Sequence, residues 1–423
     1  MYQLRGVGRL IWRRLLVRSD SILPTAEALT VSLRSGHTVA VHRPRPRLVW
    51  CAALLALLAP GWATAQEQPL RFLGEFDIPD QSVQVEGTMV GGLSGLTYDA
   101  RRGVYYVISD DRGDFAPPRF YTVGIDVGLT GIRDVQFLGV TFLDSDADTP
   151  GIQPYDLNEA DPEEILLLPD DTLLVSSERD RTGRPWIRHF ALDGSLLGEL
   201  PLPEMFLPAS APDPQGRMVQ TRGVRNNLGF EGVTLAPDED ALYIVNEEAL
   251  AQDGPIATTS AGTMDRLLRL GSDGTTFRPG RQVAYRTEKI FATPEPPDQF
   301  ADNGVSALLW IRGLLPQYDF LSMERSFVTG VGTDVNIYGL RVADADDVSS
   351  VASLASFAGR TVDKTLLVNV GSLGIAADNL EGLALGPRLP DGHTALLVIS
   401  DDNFSETQLN QFLLFEVESP AGK

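Results

Sequence analysis

The chain repeats one pattern five times. Two short apolar runs are joined by a turn, with small or acidic residues before the first run and acidic residues after the second. The clearest copy spans residues 229–248, GFEGVTLAPDEDALYIVNEE, with the turn signal PDED at its centre. Because short β runs joined by such a turn fold back antiparallel, Glu231 and Glu247 are predicted to be neighbours at the open end of a hairpin.

The other four copies keep this arrangement while the turn varies. They span residues 92–111, 161–180, 303–325 and 378–403. Equivalent residues at the start of the five first runs, here called entry positions, are 94, 163, 231, 306 and 381, a nearly constant spacing along the chain. A constant period of strand-like runs without helical periodicity is typical of a β-propeller. The sequence therefore predicts an all-β propeller of five or six blades, with about 70 residues per repeat.

The charge of the chain is unevenly distributed. Residues 1–65 hold nine arginines and two acidic residues, so the remainder carries 26 basic and 55 acidic residues, a net charge of −29. A surface this acidic repels nucleic acid and anionic lipid and favours cations. The single cysteine, Cys51, also lies in this N-terminal part. The rest of the chain therefore has no disulfide, no thiol nucleophile and no thiolate metal site.

The N-terminal part has the features of a leader. Arginines precede the apolar run LVWCAALLALLAP, and the small residues Ala63, Thr64 and Ala65 follow it. This pattern predicts a secretory signal peptide cleaved after Ala65, and a periplasmic or secreted protein with no membrane span after cleavage. A signal peptide normally begins the protein, but here residues 1–40 precede it. This favours a mis-assigned translation start over an unusually long leader. Residues 66–423 show no domain break and are predicted to form one domain.

Acidic residues at the hairpin ends are the candidate site. In a propeller, equivalent ends of the innermost hairpins converge on one mouth of the central channel. A ring of carboxylates there needs cations or protons, and many oxygen ligands suit Ca²⁺ better than Zn²⁺. Solvated turn formation is the alternative for any one position. The predicted calcium ligands are Glu164, Glu178, Glu231, Glu247, Glu381 and Asp401.

Serines at entry positions 94 and 306 leave this ring of acidic residues incomplete. We therefore expect metal to gather on the side of the ring that carries glutamates. In the fourth hairpin, Glu324 is the acidic residue assigned to the end of the second run.

Three arginines follow acidic residues at hairpin ends: Arg112, Arg179 and Arg325. Their guanidinium groups match phosphate oxygens, and they are the predicted phosphate contacts. Pairing with the acidic neighbours is the alternative. The histidines outside the leader, His189 and His393, lack a nucleophile-like setting, and no P-loop, dinucleotide fingerprint or HExxH stretch occurs.

The order of several short segments resembles a known family. The segments GGLSGLTYD, YYVISDDRG, DPEEI, GFEGVTLAPD, FLSMERS, NLEGLALGPRLPDG and LLVISDDNF, within residues 70–418, resemble the phytase-like family described as having esterase-like activity of phytase. The resemblance implies an exported bacterial β-propeller, distantly similar to calcium-dependent propeller phytases that hydrolyse phosphate monoesters. It supplies no catalytic residues. Glu164 departs from the family pattern, which usually has glycine after DPE, and Val233 and Ser306 match loosely.

These observations predict a monomeric hydrolase that uses Ca²⁺ to cleave phosphomonoesters or other esters of small molecules. Two alternatives stay open. One is a calcium-dependent lactonase or carboxylesterase, and the other is a non-catalytic propeller that binds structural Ca²⁺ and presents a surface to envelope partners or glycans.

Overall fold

The computed structural model describes residues 68–79, 82–273 and 276–418. Within these ranges the protein is all-β, and its regular helical segments are three short 3₁₀ turns. No helix in this part of the chain has the length and apolar character needed to cross a membrane. The predicted leader, with Cys51 and the cleavage site after Ala65, lies outside the described residues.

Five four-stranded antiparallel sheets form the blades of a β-propeller, as the repeat predicts. Blade 1 consists of β4 (Leu93–Asp99), β5 (Val104–Ser109), β6 (Arg119–Gly128) and β7 (Gly131–Phe142). Blade 2 consists of β8 (Pro162–Leu167), β9 (Thr172–Ser177), β10 (Trp186–Ala191) and β11 (Leu196–Glu199). Blade 3 consists of β14 (Phe230–Ala236), β15 (Ala241–Asn246), β16 (Met264–Ser272) and β17 (Phe277–Arg286). Blade 4 consists of β18 (Gly304–Trp310), β19 (Phe320–Val328), β20 (Gly332–Arg341) and β21 (Asp363–Asn369).

Blade 5 closes the circle with strands from both ends of the described chain. It consists of β22 (Asn379–Arg388), β23 (Thr394–Asp401), β24 (Leu409–Val417) and β1 (Leu70–Pro79). Strand β1 pairs antiparallel with β24 from Leu70 opposite Val417 to Pro79 opposite Leu409. This pairing joins the first strand of the propeller to its last blade, so the edge of β24 is covered.

The remaining elements are short. Two small hairpins and the three 3₁₀ turns lie in the connections, namely β2 (Gln84–Val85), β3 (Thr88–Met89), β12 (Ala209–Pro212), β13 (Met218–Arg222), η1 (Glu204–Phe206), η2 (Pro237–Glu239) and η3 (Val370–Leu373). The five hairpins identified in the sequence are the two inner strands of the five blades. No sixth four-stranded sheet occurs within the described ranges.

The core lies between neighbouring blades. All six residues of β15, ALYIVN, are buried, because an inner strand is covered by a blade on each side. One cluster joins Leu174 and Ile187 of blade 2 to Val233, Ile244 and other apolar residues of blade 3. This packing explains why the strand runs are continuously apolar rather than alternating.

A β-bulge interrupts each innermost strand near its start. The pairing of β14 with β15 passes from Phe230 opposite Asn246 to Gly232 opposite Val245, which leaves Glu231 as the extra residue. The extra residues in β4, β18 and β22 are Ser94, Ser306 and Glu381, and the bulge of β8 contains both Glu163 and Glu164. Bulges of this kind re-aim a side chain out of the regular alternation. All five entry positions are therefore bulged residues.

Candidate functional site

The end of each second strand supplies another residue beside the bulge. In the first three blades the backbone N–H of this residue donates to the carbonyl just before the inner strand, as in Glu247 to Gly229 at 2.8 Å. In the last two blades, Arg325 pairs with Gly304 and Asp401 pairs with Asn379. The equivalent residues, here called exit positions, are Asp110, Glu178, Glu247, Arg325 and Asp401.

We use the term acidic mouth for the carboxylates of the entry and exit positions together with Asp161, which lies at the start of the second hairpin. Two groups of three carboxylates meet there. Asp161, Glu163 and Glu178 each offer an oxygen within 4.8 Å of the others, and the same holds for Glu178, Glu231 and Glu247. Glu178 belongs to both groups, and its Oε1 also accepts a hydrogen bond from Gly229 N of the next blade. Five carboxylates from blades 2 and 3 therefore converge on the same side of the channel.

Burial and mutual repulsion raise the pKa values of this group. Burial and then Asp161 raise the pKa of Glu178 to about 7. Burial is the main cause of the raised pKa of Glu231, which Glu247 and Glu178 raise further. The pKa of Glu163 is raised by burial and then by Glu231. Ionising these groups together therefore needs compensating positive charge.

The other side of the mouth continues with blades 1 and 5. Burial, followed by Glu381, raises the pKa of Asp110, and burial, followed by Asp110, raises that of Asp401. The side-chain nitrogen of Asn379 donates to Glu381 Oε1 at 2.8 Å and to Asp401 Oδ2 at 3.2 Å. The carboxylates of blade 5 are therefore tied together by an amide.

Arg325 is the one exit residue that carries a guanidinium group instead of a carboxylate. Its Nη2 donates to Glu247 Oε1 at 2.8 Å, and its Nη1 donates to Glu381 Oε1 at 2.6 Å and also to Asn379. Its side chain is only 12% exposed. Burial opposes the charged form, but Glu381 and Glu247 raise the pKa of Arg325 above its ordinary value. The arrangement corresponds to pairing with acidic neighbours, the alternative considered for this residue.

The other two predicted phosphate contacts line a cavity beside the acidic mouth. Arg179 Nη2 lies 2.7 Å from Asp161 Oδ2 and donates to Asn227 Oδ1 at 2.9 Å. Arg112 is 4.0 Å from Asp161 Oδ1, with its side chain 40% exposed. A cavity of about 340 Å³ contains both arginines together with Asp161 and Arg181. This cavity therefore presents several guanidinium groups next to the first group of three carboxylates.

Of the six predicted calcium ligands, five lie in the acidic mouth and Glu164 does not. Glu164 is buried, and its Oε1 accepts a hydrogen bond from Ile165 N at 3.0 Å. It packs against Gly95 of the neighbouring blade, where a Cβ would come 2.6 Å from Glu164 Oε1. Its neighbour Glu163 joins the carboxylate group instead. Residue 163 is the entry position given by the constant spacing of the repeats, so the repeat already indicated which of the two glutamates lies with the other carboxylates.

Asp161 and Asp110 also lie in the acidic mouth, although they are not among the predicted ligands. In the fourth hairpin, the residue predicted at the end of the second run is Glu324, whereas the strand register places Arg325 there. Glu324 instead accepts hydrogen bonds from Tyr285 and from Lys364, each at 2.6 Å. The turn of that hairpin is longer than in the other repeats. The residues that pair across it therefore cannot be found by counting from the turn as in another repeat.

The acidic mouth fits a hard divalent cation. Its donors are carboxylate oxygens, with no histidine or cysteine in either group of three carboxylates. Ser306 Oγ, at a bulged entry position, is buried without a hydrogen-bond partner among the described residues. Oxygen ligands in this number suit Ca²⁺, which accepts six to eight of them.

A larger cavity, of about 700 Å³, lies at the opposite ends of the inner hairpins of blades 2 and 3. It is lined mainly by apolar residues and contains His189. The Nε2 atom of His189 is 2.6 Å from Thr172 Oγ1. This histidine is therefore remote from the acidic mouth, as the hairpin geometry places the two at opposite ends.

The fold and the mouth define a five-bladed β-propeller whose channel opening is lined by carboxylates. Residues 88–404 match the family model described as Phytase-like: Esterase-like activity of phytase. The chain belongs to this phytase-like family, which confirms the resemblance seen in its segments.

The solved structures that the chain matches are remote from it in sequence. A periplasmic gluconolactonase of Pseudomonas aeruginosa is 13% identical, with 80% of this chain and 89% of that chain covered and a TM-score of 0.32. A glucose dehydrogenase is 10% identical, with 82% and 100% covered and a TM-score of 0.34. Domains 1–2 of Drosophila Semaphorin 1a are 10% identical, with 79% and 75% covered and a TM-score of 0.30. These similarities carry no argument about function. No curated protein matches the chain.

Proposed function

We propose that the protein is an exported hydrolase that cleaves phosphomonoesters of small molecules with the help of Ca²⁺ held at the acidic mouth. The observation that carries the proposal is the pair of carboxylate groups that share Glu178, with all ligand atoms of each group within 4.8 Å. Membership of the phytase-like family supports the reaction class.

The charge of the mouth makes a cation necessary for this substrate. A phosphomonoester is an anion and would be repelled by the ionised carboxylates of blades 2 and 3. The residues that would hold the cation are Asp161, Glu163, Glu178, Glu231 and Glu247, with Glu381 and Asp401 on the neighbouring side. When bound, Ca²⁺ supplies positive charge against the carboxylates and Lewis acidity towards an ester oxygen.

The arginines of the smaller cavity would orient the phosphate. Among the described residues, the guanidinium of Arg112 has an ion pair only with Asp161, at 4.0 Å, so it has donors available for phosphate oxygens. Arg179 reaches the same space from the next strand end and is fixed by Asp161 and Asn227. Arg325 has a different role in this proposal, because it holds Glu247 and Glu381 in place rather than contacting the substrate.

Hydrolysis of p-nitrophenyl phosphate tests the proposal. We expect turnover with Ca²⁺ and a loss of at least about 100-fold after exhaustive chelation, restored by adding Ca²⁺. Glu231→Gln should reduce turnover about 10- to 100-fold at limiting Ca²⁺, because it removes one negative charge from the group of carboxylates formed with Glu178 and Glu247. The matched control is Glu204→Gln, since Glu204 is exposed in η1 and pairs with Arg222 away from the mouth. Turnover that survives chelation would exclude the proposed mechanism.

The family description names an esterase-like activity, so carboxylic esters are the second candidate substrates. Parallel assays with p-nitrophenyl acetate separate the two. Calcium-dependent turnover of the acetate but not the phosphate would replace the phosphomonoesterase by a carboxylesterase. No turnover of either, with a calcium-dependent rise in melting temperature, would favour a structural role for the cation.

A further inference from the structure

Two repeats carry a longer shared segment than the hairpin pattern requires. Residues 108–111 and 399–402 both read Ile-Ser-Asp-Asp, and each is followed within a few residues by a phenylalanine, Phe115 and Phe404. In both repeats the first aspartate is an exit residue of the acidic mouth. The second aspartate and the phenylalanine have no part in the function proposed above.

The second aspartate holds the loop that carries the phenylalanine. Asp111 Oδ1 accepts hydrogen bonds from the backbone N–H groups of Gly113, Asp114 and Phe115, at 2.8 to 3.2 Å. Asp111 is itself fixed by Arg119 Nη1 at 2.8 Å, and both side chains are fully buried. The loop carrying Phe115 is therefore tied to the end of blade 1.

In blade 5, Asp402 has the same role. Its Oδ1 accepts hydrogen bonds from Phe404 N at 3.1 Å and from Gly92 N of blade 1 at 2.8 Å. Asn403 and Phe404 both have left-handed backbones, with φ of 48° and 49°. A left-handed phenylalanine is strained, and such strain persists where the surrounding structure holds it, most often at functional sites.

The two rings form one stack across the junction of blades 1 and 5. Phe115 and Phe404 have ring centroids 4.3 Å apart and planes inclined by only 19°. The ring of Phe404 lies on Gly91 and Gly92, where a Cβ atom would come 2.7 and 2.8 Å from its carbons. Nothing larger than glycine fits beneath it. We call Phe115 and Phe404 the aromatic stack.

The stack borders the acidic mouth and is open to solvent. A Cβ atom added to Gly92 would touch both Asp110 Oδ1 and the edge of the Phe404 ring. The Asp110 carboxylate and the Phe404 ring are therefore immediate neighbours. Phe115 is 54% exposed. The loop that carries this ring is held by the buried ion pair of Asp111 and Arg119, so the exposed ring is presented on a fixed backbone, and covering its apolar surface would gain free energy.

We propose that the aromatic stack binds the organic group of the substrate, and that this group is a ring with a flat apolar face, either an aryl ring or a sugar ring. The inference rests on the proposed function only in placing the phosphate at the acidic mouth. A ring stacked on Phe115 would lie beside Asp110, with its ester group directed towards the carboxylates. Flat rings pack on aromatic faces more favourably than flexible chains do.

Binding of non-hydrolysable phosphonates tests this without relying on turnover. In calorimetric titrations with Ca²⁺ present, phenylphosphonate and cyclohexylphosphonate represent aryl and saturated rings, and propylphosphonate represents an open chain. We expect at least one ring compound to bind about tenfold more tightly than propylphosphonate, which corresponds to about 1.4 kcal/mol. A preference for phenyl alone identifies an aryl group, and a preference for both rings identifies a saturated ring such as a sugar.

Two substitutions of Phe115 separate stacking from simple apolar contact. Phe115→Trp keeps a flat aromatic face and should keep the preference for rings. Phe115→Leu keeps an apolar side chain without a flat face and should abolish the preference. Because Phe115 is 54% exposed, Phe115→Trp should keep the wild-type melting temperature, and Phe115→Leu should lower it only slightly through the lost contact with Phe404. Leu138→Ala, which alters a 56% exposed apolar residue on the outermost strand of the same blade, serves as the control.

The results distinguish this inference from the proposed function. Equal affinities for the three phosphonates, or a ring preference that survives in Phe115→Leu, would overturn the aromatic stack as a binding site. No binding of any of them, propylphosphonate included, would overturn the phosphate site on which the inference rests. Ring preference without any hydrolysis of p-nitrophenyl phosphate would instead leave the stack in place and reject the phosphomonoesterase.

Discussion

Arg325 occupies a position where the other four blades have a carboxylate. The substitution places a positive charge between Glu247 and Glu381, in a region that carries an excess of buried acid. Breaking a buried ion pair by removing one partner leaves an uncompensated charge, which is far more costly than breaking a pair at the surface. We therefore regard Arg325 as a built-in cation that allows blades 3 and 5 to approach each other around blade 4.

Arg325→Gln should destabilise the protein in the absence of divalent cations. We expect the free energy of unfolding to fall by about 3–5 kcal/mol, since Glu247 and Glu381 lose their partner. Added Ca²⁺ should raise the melting temperature more in this variant than in the wild type, because it supplies the missing charge. Thermal unfolding in chelator and in Ca²⁺ measures both effects.

The control for this prediction is Arg133→Gln, which removes an ion pair with Asp126 whose two side chains are more than half exposed. It should change the melting temperature little. A similar small effect of Arg325→Gln would contradict the role assigned to the buried guanidinium.

Asp265, which does not belong to the acidic mouth as defined above, predicts a further pH dependence. Both of its carboxylate oxygens are buried, and neither has a hydrogen-bond partner in the part of the chain that the structure describes. Burial, with smaller contributions from Glu248, Glu324, Glu247 and Asp253, raises its pKa well above the ordinary value of 3.8. The folded state therefore binds this proton more tightly than the unfolded state does. Asp265 favours folding at low pH and opposes it as the pH rises above 3.8.

Asp265→Asn removes this titration while keeping the shape of the side chain. The melting temperature of the variant minus that of the wild type should increase as the pH is raised from about 4 towards neutrality. Asp148→Asn, at an exposed loop position, should give a difference that stays flat. A flat difference for Asp265→Asn as well would show that this carboxyl titrates alike in the folded and unfolded chain.

At the level of strands, the repeated bulge explains which residue types recur at the start of the hairpins. The extra residue turns towards the mouth. In blades 1, 3, 4 and 5 the residue after it is small, namely Gly95, Gly232, Ala307 and Gly382, because the inner strands lie close together, whereas in blade 2 Glu164 follows Glu163. At Gly232, a Cβ would come 2.7 Å from Leu308 Cβ and 2.9 Å from Leu308 N of the next blade. The glycine that follows Glu231 is therefore a packing requirement that accompanies the functional residue.

Gly232→Ala should lower the free energy of unfolding by about 1–3 kcal/mol, because a methyl group would be forced against the backbone of β18. The matched control is Gly198→Ala in the outermost strand β11, where nothing lies within 4 Å of the added Cβ. Urea unfolding compares the two. Equal stability of both variants would contradict the close approach of the inner strands.

The sequence was sufficient to predict the hairpins, but not which bulged residue turns inwards or how the two strands of each hairpin are paired. Apolar runs, turn signals and a constant period locate all five inner hairpins, since these are local features. The choice between Glu163 and Glu164 depends on which residue of a two-residue bulge turns inwards. The choice between Glu324 and Arg325 depends on register across a long turn. Neither the bulge nor the register has a local signature, because both are set by pairing with the neighbouring strand.

For the whole molecule, closure of the circle decides where the charges meet. The pairing of β1 with β24 joins strands from opposite ends of the described chain, so no local pattern could predict it. Closure brings blade 5 against blade 1, which places Asp401 beside Asp110 and Phe404 beside Phe115. The acidic mouth and the aromatic stack are therefore consequences of the complete ring of blades.

The acidic composition acquires a specific meaning in this arrangement. The net charge of the chain beyond the leader already favoured cations, and the fold concentrates eight carboxylates of that excess at one end of the channel: Asp110, Asp161, Glu163, Glu178, Glu231, Glu247, Glu381 and Asp401. A cation at this end would relieve repulsion between several blades at once.

Calcium titration of the chelator-stripped protein tests the central claim most directly. Calorimetry should show tight binding to the wild type and at least about tenfold weaker binding to Glu178→Gln, because Glu178 belongs to both carboxylate groups. Glu204→Gln should bind as the wild type does. Absence of calcium binding, or equal binding by Glu178→Gln and the wild type, would contradict a cation site at the acidic mouth.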